Sequence, residues 1–127
     1  MFTHTKAFSG FSVDDIQKAK KFYGETLGLK VIDNPMGLIE LQIEGSNNII
    51  VYPKPNHTPA TFTILNFPVN NIYETVDKLT SLGIKFEQYG GQIQTNEKGI
   101  CRNPEGPPIA WFKDPAGNIL SVIEERR

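Results

Sequence analysis

Residues 11–29 read FSVDDIQKAKKFYGETLGL, and residues 67–84 answer them with FPVNNIYETVDKLTSLGI. In the first stretch Phe11 and Val13 alternate with the small residues Gly10 and Ser12. That is the period of a strand packed on one face, and it predicts a strand over residues 6–13. A helix follows. Asp14 can accept the unpaired amide hydrogens of its first turn, with Gln17 at capping-box spacing. Ile16, Ala19, Phe22 or Tyr23, and Leu27 then form one apolar stripe, leaving Lys18, Lys20, Lys21 and Glu25 to water. Gly28 ends the helix, because left-handed backbone costs glycine little. Strands are expected over residues 29–33, 37–44 and 47–52.

The second half repeats the order. A strand over residues 61–69 leads to a cap at Asn70 or Asn71, an apolar stripe of Ile72, Val76, Leu79 and Leu82, and a stop at Gly83. Phe67 and Val69 lie 56 residues beyond Phe11 and Val13, and Leu82-Gly83-Ile84-Lys85 lies 55 beyond Leu27-Gly28-Leu29-Lys30. Asn118-Ile119-Leu120-Ser121 matches Asn48-Ile49-Ile50-Val51 at an offset of 70, which longer loops in the second half accommodate. The proline-rich stretch from Pro53 to Pro59 is the linker between halves, since proline denies sheet pairing and stiffens extended chain. Each half therefore reads βαβββ, an α+β pattern in which one helix covers one face of a four-stranded sheet. A plain ferredoxin-like sandwich leaves three strands after each helix unexplained. With the halves side by side, the uncovered faces are expected to curve around a trough that takes a small molecule.

Composition narrows the function classes. The 127 residues suit one domain, with module one over about residues 1–55 and module two over about residues 60–127. Thirteen basic and fourteen acidic residues leave a formal charge of -1, so nothing points to nucleic acid or an anionic membrane surface. No apolar run approaches the length of a membrane span, and residues 1–6 lack the order of a secretory signal. The single Cys101 excludes an internal disulfide and suits a reducing cytoplasm, where the protein is expected to reside.

The duplicated order, Phe11-Ser12-Val13-Asp14-Asp15 leading to Phe22-Tyr23-Gly24-Glu25-Thr26-Leu27-Gly28-Leu29, and the ending Ala110-Trp111-Phe112-Lys113-Asp114-Pro115-Ala116-Gly117-Asn118 together resemble the vicinal oxygen chelate superfamily. That is the glyoxalase, bleomycin-resistance and extradiol dioxygenase group, and the resemblance covers essentially the whole chain. Physically, Asp114 to Asn118 is a tight turn without a catalytic role, and Phe22-Tyr23 is helix-to-sheet packing.

The resemblance implies a fold of two βαβββ modules and, in the enzymes of the group, one divalent metal held by His and Glu from four strands. The corresponding positions here are Phe8, Val51, Ile64 and Ser121. Three hydrocarbons and a neutral hydroxyl cannot hold a cation that wants carboxylate, thiolate or imidazole, so no metal or other cofactor is expected. His4, near the N-terminus, and His57, in the proline-rich loop, have no partner at ligand spacing. The trough is then expected to be apolar around Phe8, Val51 and Ile64, with Ile39, Leu41 and Trp111 added by strand alternation. Polar orientation is assigned to Tyr52, Asn66, Lys113 and Ser121, with Arg102 or His57 at the rim. Trp111 stands where the dioxygenase branch carries a proton-transferring tyrosine, and indole serves packing or ligand stacking instead.

Three readings stay open: a metal-free binder of a small, mostly apolar or aromatic molecule; a metal-dependent lyase or dioxygenase resembling lactoylglutathione lyase; and a metal-free enzyme using Tyr52, His57, Cys101 or Glu105. The first fits the vacant ligand positions. Open sheet edges and the resemblance add a homodimer to the expectations.

Overall fold

The computed structural model describes residues 1–125. They run β1 (Gly10–Val13), α1 (Ile16–Lys21), a π-helical turn (Phe22–Thr26), β2 (Lys30–Asp33), β3 (Ile39–Gln42), β4 (Ile49–Pro53), β5 (Thr63–Val69), α2 (Ile72–Ser81), β6 (Ile100–Cys101), β7 (Ile109–Lys113) and β8 (Ile119–Glu124). The chain divides into two compact units, one ending at Pro59 and the other beginning at Ala60. Each unit holds a four-stranded sheet, ordered β1-β4-β3-β2 in the first and β5-β8-β7-β6 in the second. In both, the first and last strands pair in parallel and the remaining pairs are antiparallel. The α+β architecture of two four-stranded βαβββ modules is thus the one the sequence predicts.

The local details follow from side-chain chemistry. The cap of α1 is Asp15, one residue beyond the expected Asp14, and its Oδ1 accepts from the amides of Gln17 and Lys18. The following turn widens: the Leu27 amide reaches the Phe22 carbonyl five residues back at 2.9 Å. That widening settles which aromatic enters the core, and Tyr23 is buried while Phe22 is only half-buried. Asn71 caps α2 through the Glu74 amide. The amide of Ile72, at the same helix end, donates to the buried Glu124 side chain at 3.0 Å, so an acceptor from β8 satisfies an unpaired amide at the start of α2. Pro68 sits inside β5, which its edge position tolerates because one side of an edge strand makes no ladder bonds.

Register fixes which residues share a face. Phe11 packs its ring 5.9 Å from Tyr23 and is the β1 partner of Val51, which in turn pairs with Ile39. Ile49, Val51, Ile39, Leu41 and Val13 therefore form the core beneath the helical segment, all of them buried. In the second unit Leu120, Val122, Ala110 and Phe112 take the same role with Ile72 and Val76 of α2. Phe86 closes that core with its ring 5.5 Å from Phe112. The turn at residues 114–118 is held by Asp114, whose Oδ1 accepts from the amides of Ala116 and Asn118, and by Gly117 at φ 86°. No helix among the described residues is long and apolar enough to cross a membrane.

Candidate functional site

Each sheet has a face turned away from its own helix. In the first unit one row across that face is Gly10, Ile50, Glu40 and Ile32, neighbours by register, with Ser12 and Tyr52 in the adjoining row. The Asn48 side chain donates to Glu40 at 3.2 Å and that of Asn34 lies 3.5 Å from the same carboxylate. A hollow of about 410 Å³ opens there, lined by Lys6, Phe8, Glu40, Asn48 and Ile50 among others. At the end of β1 the Ser12 hydroxyl meets His57 Nδ1 at 2.7 Å.

In the second unit the corresponding row is Asn66, Ser121 and Trp111. Ser121 is fully buried and its hydroxyl is hydrogen-bonded to Asn66 Oδ1. Beside this row lies a pocket of about 680 Å³ whose walls are Phe62, Thr63, Tyr89, Ile93, Trp111 and Ile119, with Thr61, Gly90 and Gln92 completing it. Trp111 and Tyr89 meet edge to face at 5.5 Å. Tyr89 is brought there because residues 84–89 run along β7, the Glu87 amide donating to the Trp111 carbonyl at 2.8 Å.

The expected site residues divide. Phe8, Tyr52, Asn66, Trp111 and Ser121 stand on the faces away from the helices. Leu41 and Val51, with Ile39, do not: Leu41 and Val51 are fully buried on the helix side, and Ile50, the β4 neighbour of Val51, reaches the open face instead. The cause is the match of Asn48–Val51 to Asn118–Ser121. Helix-side Ile49 and Val51 correspond to Leu120 and Val122, so the structural offset is one greater than the sequence match. Apolar residues on both faces of β4 and β8 hide such a slip from sequence. Ile64 lies where the β5 ladder shifts register between Thr63 and Leu65. Arg102 is not at the rim of the open face. It packs on Tyr73 of α2, with Nε 2.8 Å from the phenol oxygen and the guanidinium 5.0 Å from the ring centre. Nearby, the hydrogen-bonded Asp77 carboxylate holds the exposed Lys98 ammonium above its usual range. Lys113 is engaged at 3.4 Å by Glu87.

Sequence reasoning missed Tyr89, Ile93 and Gln92, which lie in a segment with no periodic signal. Phe62 was within reach of it, because a strand expected from residue 61 with Phe67 on one face puts Phe62 on the other. It also missed the Ser12–His57 pair, whose members are 45 residues apart.

A family model for the Glyoxalase/Bleomycin resistance protein/Dioxygenase superfamily matches residues 3–122. The chain belongs to that superfamily. A member of the superfamily from Sphaerobacter thermophilus aligns with 22% identity and a TM-score of 0.74, covering 98% of this chain and 100% of its own. TnmS3, an antibiotic binding protein from a Streptomyces species, aligns with 19% identity and a TM-score of 0.72 over 98% of both chains. A lactoylglutathione lyase from Agrobacterium tumefaciens aligns with 20% identity and a TM-score of 0.69, over 95% of this chain and 93% of the lyase. At such identities the likeness is one of fold. No match was found among curated proteins.

The metal of the superfamily's enzymes does not fit the residues of this member. With the β4 position corrected, the four positions are Phe8 and Ile50 in one unit and Ile64 and Ser121 in the other, and the one oxygen among them is already bonded to Asn66. Among the described residues no three His, Cys, Asp or Glu side chains are grouped to hold an ion.

Proposed function

We propose that this protein binds a small, mostly apolar or aromatic molecule without a metal, and that residues 1–127 operate as one domain in doing so. The observation that carries this reading is the Trp111 pocket, in which the rings of Phe62, Tyr89 and Trp111 and the side chains of Ile93 and Ile119 share the lining with Thr61, Thr63 and Gln92. Pockets for small molecules combine such apolar walls with a few polar groups that orient the ligand. Asn66, in the row beside Trp111 and held by the hydroxyl of the fully buried Ser121, is the further side chain we assign to ligand contact. The polar rim we assign to Lys113, and Arg102 is left out because Tyr73 holds it on the helix side. A cytoplasmic location suits the buried, unpaired Cys101. A homodimer suits the exposed Phe8 and Phe62 on the open faces, because apolar surface of this kind is normally covered.

The chain carries one tryptophan, so its fluorescence reports on this pocket directly. A thermal-shift screen of aromatic acids, quinones and antibiotics, the last because one structural neighbour is an antibiotic binding protein, is expected to yield ligands that raise the melting temperature and quench Trp111 together. Ligands that stabilise the Trp111→Ala variant as well as the wild type would remove the pocket from the proposal. A lyase-like activity dependent on stoichiometric metal would replace the reading altogether, and metal analysis of the purified protein decides that.

A further inference from the structure

We infer that Ser12 and His57 form an acyl-transfer site for small carboxylic esters with a good leaving group, built from residues that do not line the Trp111 pocket. The topology builds the pair. β1 and β4 run parallel, so the end of β1 and the loop leaving β4 lie at the same edge of the first sheet. The Lys54 amide donates to the Val13 carbonyl at 2.9 Å, and the His57 amide to the Lys54 carbonyl at 3.0 Å, which turns the loop back over β1. The imidazole arrives with Nδ1 2.7 Å from the Ser12 hydroxyl, both side chains part-buried. That distance is the nucleophile-to-base contact that serine catalysis requires. Tyr52 is the register neighbour of Ser12 on the same face and is 40% exposed, which leaves a phenol donor for the oxyanion.

The inferred reaction uses the His57 tautomer with its proton on Nε2, in which Nδ1 accepts from the Ser12 hydroxyl. Ser12 Oγ attacks the ester carbonyl carbon as its proton passes to Nδ1, and a carbon–oxygen bond forms. The bond to the leaving oxygen then breaks and His57 returns the proton to it, so the alcohol or phenol departs and the acyl group stays on Ser12. Water repeats the sequence against the acyl-serine, giving the carboxylic acid and restoring the hydroxyl. No oxidant, reductant or metal enters the balance.

The test uses p-nitrophenyl acetate on the intact protein, with release of p-nitrophenolate followed by absorbance and the acetyl group located by peptide mass. Acetyl on Ser12 is expected, with release at least about 100-fold slower in both Ser12→Ala and His57→Gln, the usual range for loss of a positioned base. Melting curves establish that each variant is folded. A fluorophosphonate probe on wild-type protein asks the same question without a variant, and its label is expected on Ser12. Acetyl confined to lysines, release unchanged in folded Ser12→Ala, or a fluorophosphonate that leaves Ser12 unmodified would each overturn the inference. Aromatic-ligand binding at Trp111 is unaffected by any of these results, so the two readings fail separately.

Discussion

At the scale of single residues, the face on which a side chain lies decides its consequence. Val51 and Ile50 are adjacent aliphatic residues of β4, and sequence gives no reason to separate them. Val51 is fully buried beneath the helical segment, whereas Ile50 faces the hollow beside Phe8 and Glu40. Val51→Ser loses buried methyl groups and strands a hydroxyl in the core, so it is expected to cost about 2–4 kcal/mol in urea melts. Ile50→Ser is expected to cost less than about 1.5 kcal/mol. Equal losses would contradict the register. A similar contrast holds for two glycines with positive φ. A Cβ on Gly99 would lie 2.7 Å from Phe86 Cβ in addition to its strained φ of 85°, while one on Gly28 meets nothing within 4 Å. Gly28→Ala should therefore cost the conformational penalty of about 1 kcal/mol, and Gly99→Ala clearly more, since the 84–89 segment must move to admit it.

At the scale of elements, the two helices are capped by different chemistry and depend differently on tertiary partners. Helix α1 has six residues, too short to persist alone, and Asp15 supplies its start. Helix α2 has ten residues, with Asn71 at its cap and Glu124 of β8 under its first turn. Asn71→Ala is expected to cost about 1 kcal/mol, as for other N-caps. Glu124→Leu should cost more, because it leaves the buried Ile72 amide without its acceptor. A double-mutant cycle between the two positions measures whether they act on one helix end, and a coupling of zero would show that they do not. Both caps announce themselves only in part: the Asp14-Asp15 and Asn70-Asn71 pairs mark the helix starts in the sequence, but Glu124, more than fifty positions from Ile72, has no local signature.

For the whole molecule, the proposed absence of metal and the proposed dimer make independent claims. Elemental analysis should find no Zn, Ni, Mn or Fe in stoichiometric amount, and treatment with a chelator should leave the melting temperature unchanged. Light scattering at micromolar concentration is expected to give twice the chain mass of 14.2 kDa, and a single chain mass would remove the dimer.

The sequence by itself determined the duplicated βαβββ order, the two helix starts, the glycine stops and the superfamily. These are written in short-range patterns: alternation, three-to-four spacing, capping residues, and a repeat with nearly constant offset. Only the tertiary structure decided the rest. Strand alternation has a period of two, so in β4 and β8, apolar on both faces, a slip of one residue exchanges core for open face without any visible change in pattern. The pocket around Trp111 depends on a patternless segment tied to β7 through the Glu87 amide and the Trp111 carbonyl, and the Ser12–His57 contact depends on two parallel strands finishing at the same end of their sheet. Contacts between residues far apart in the chain are set by pairing and register, which local composition does not encode.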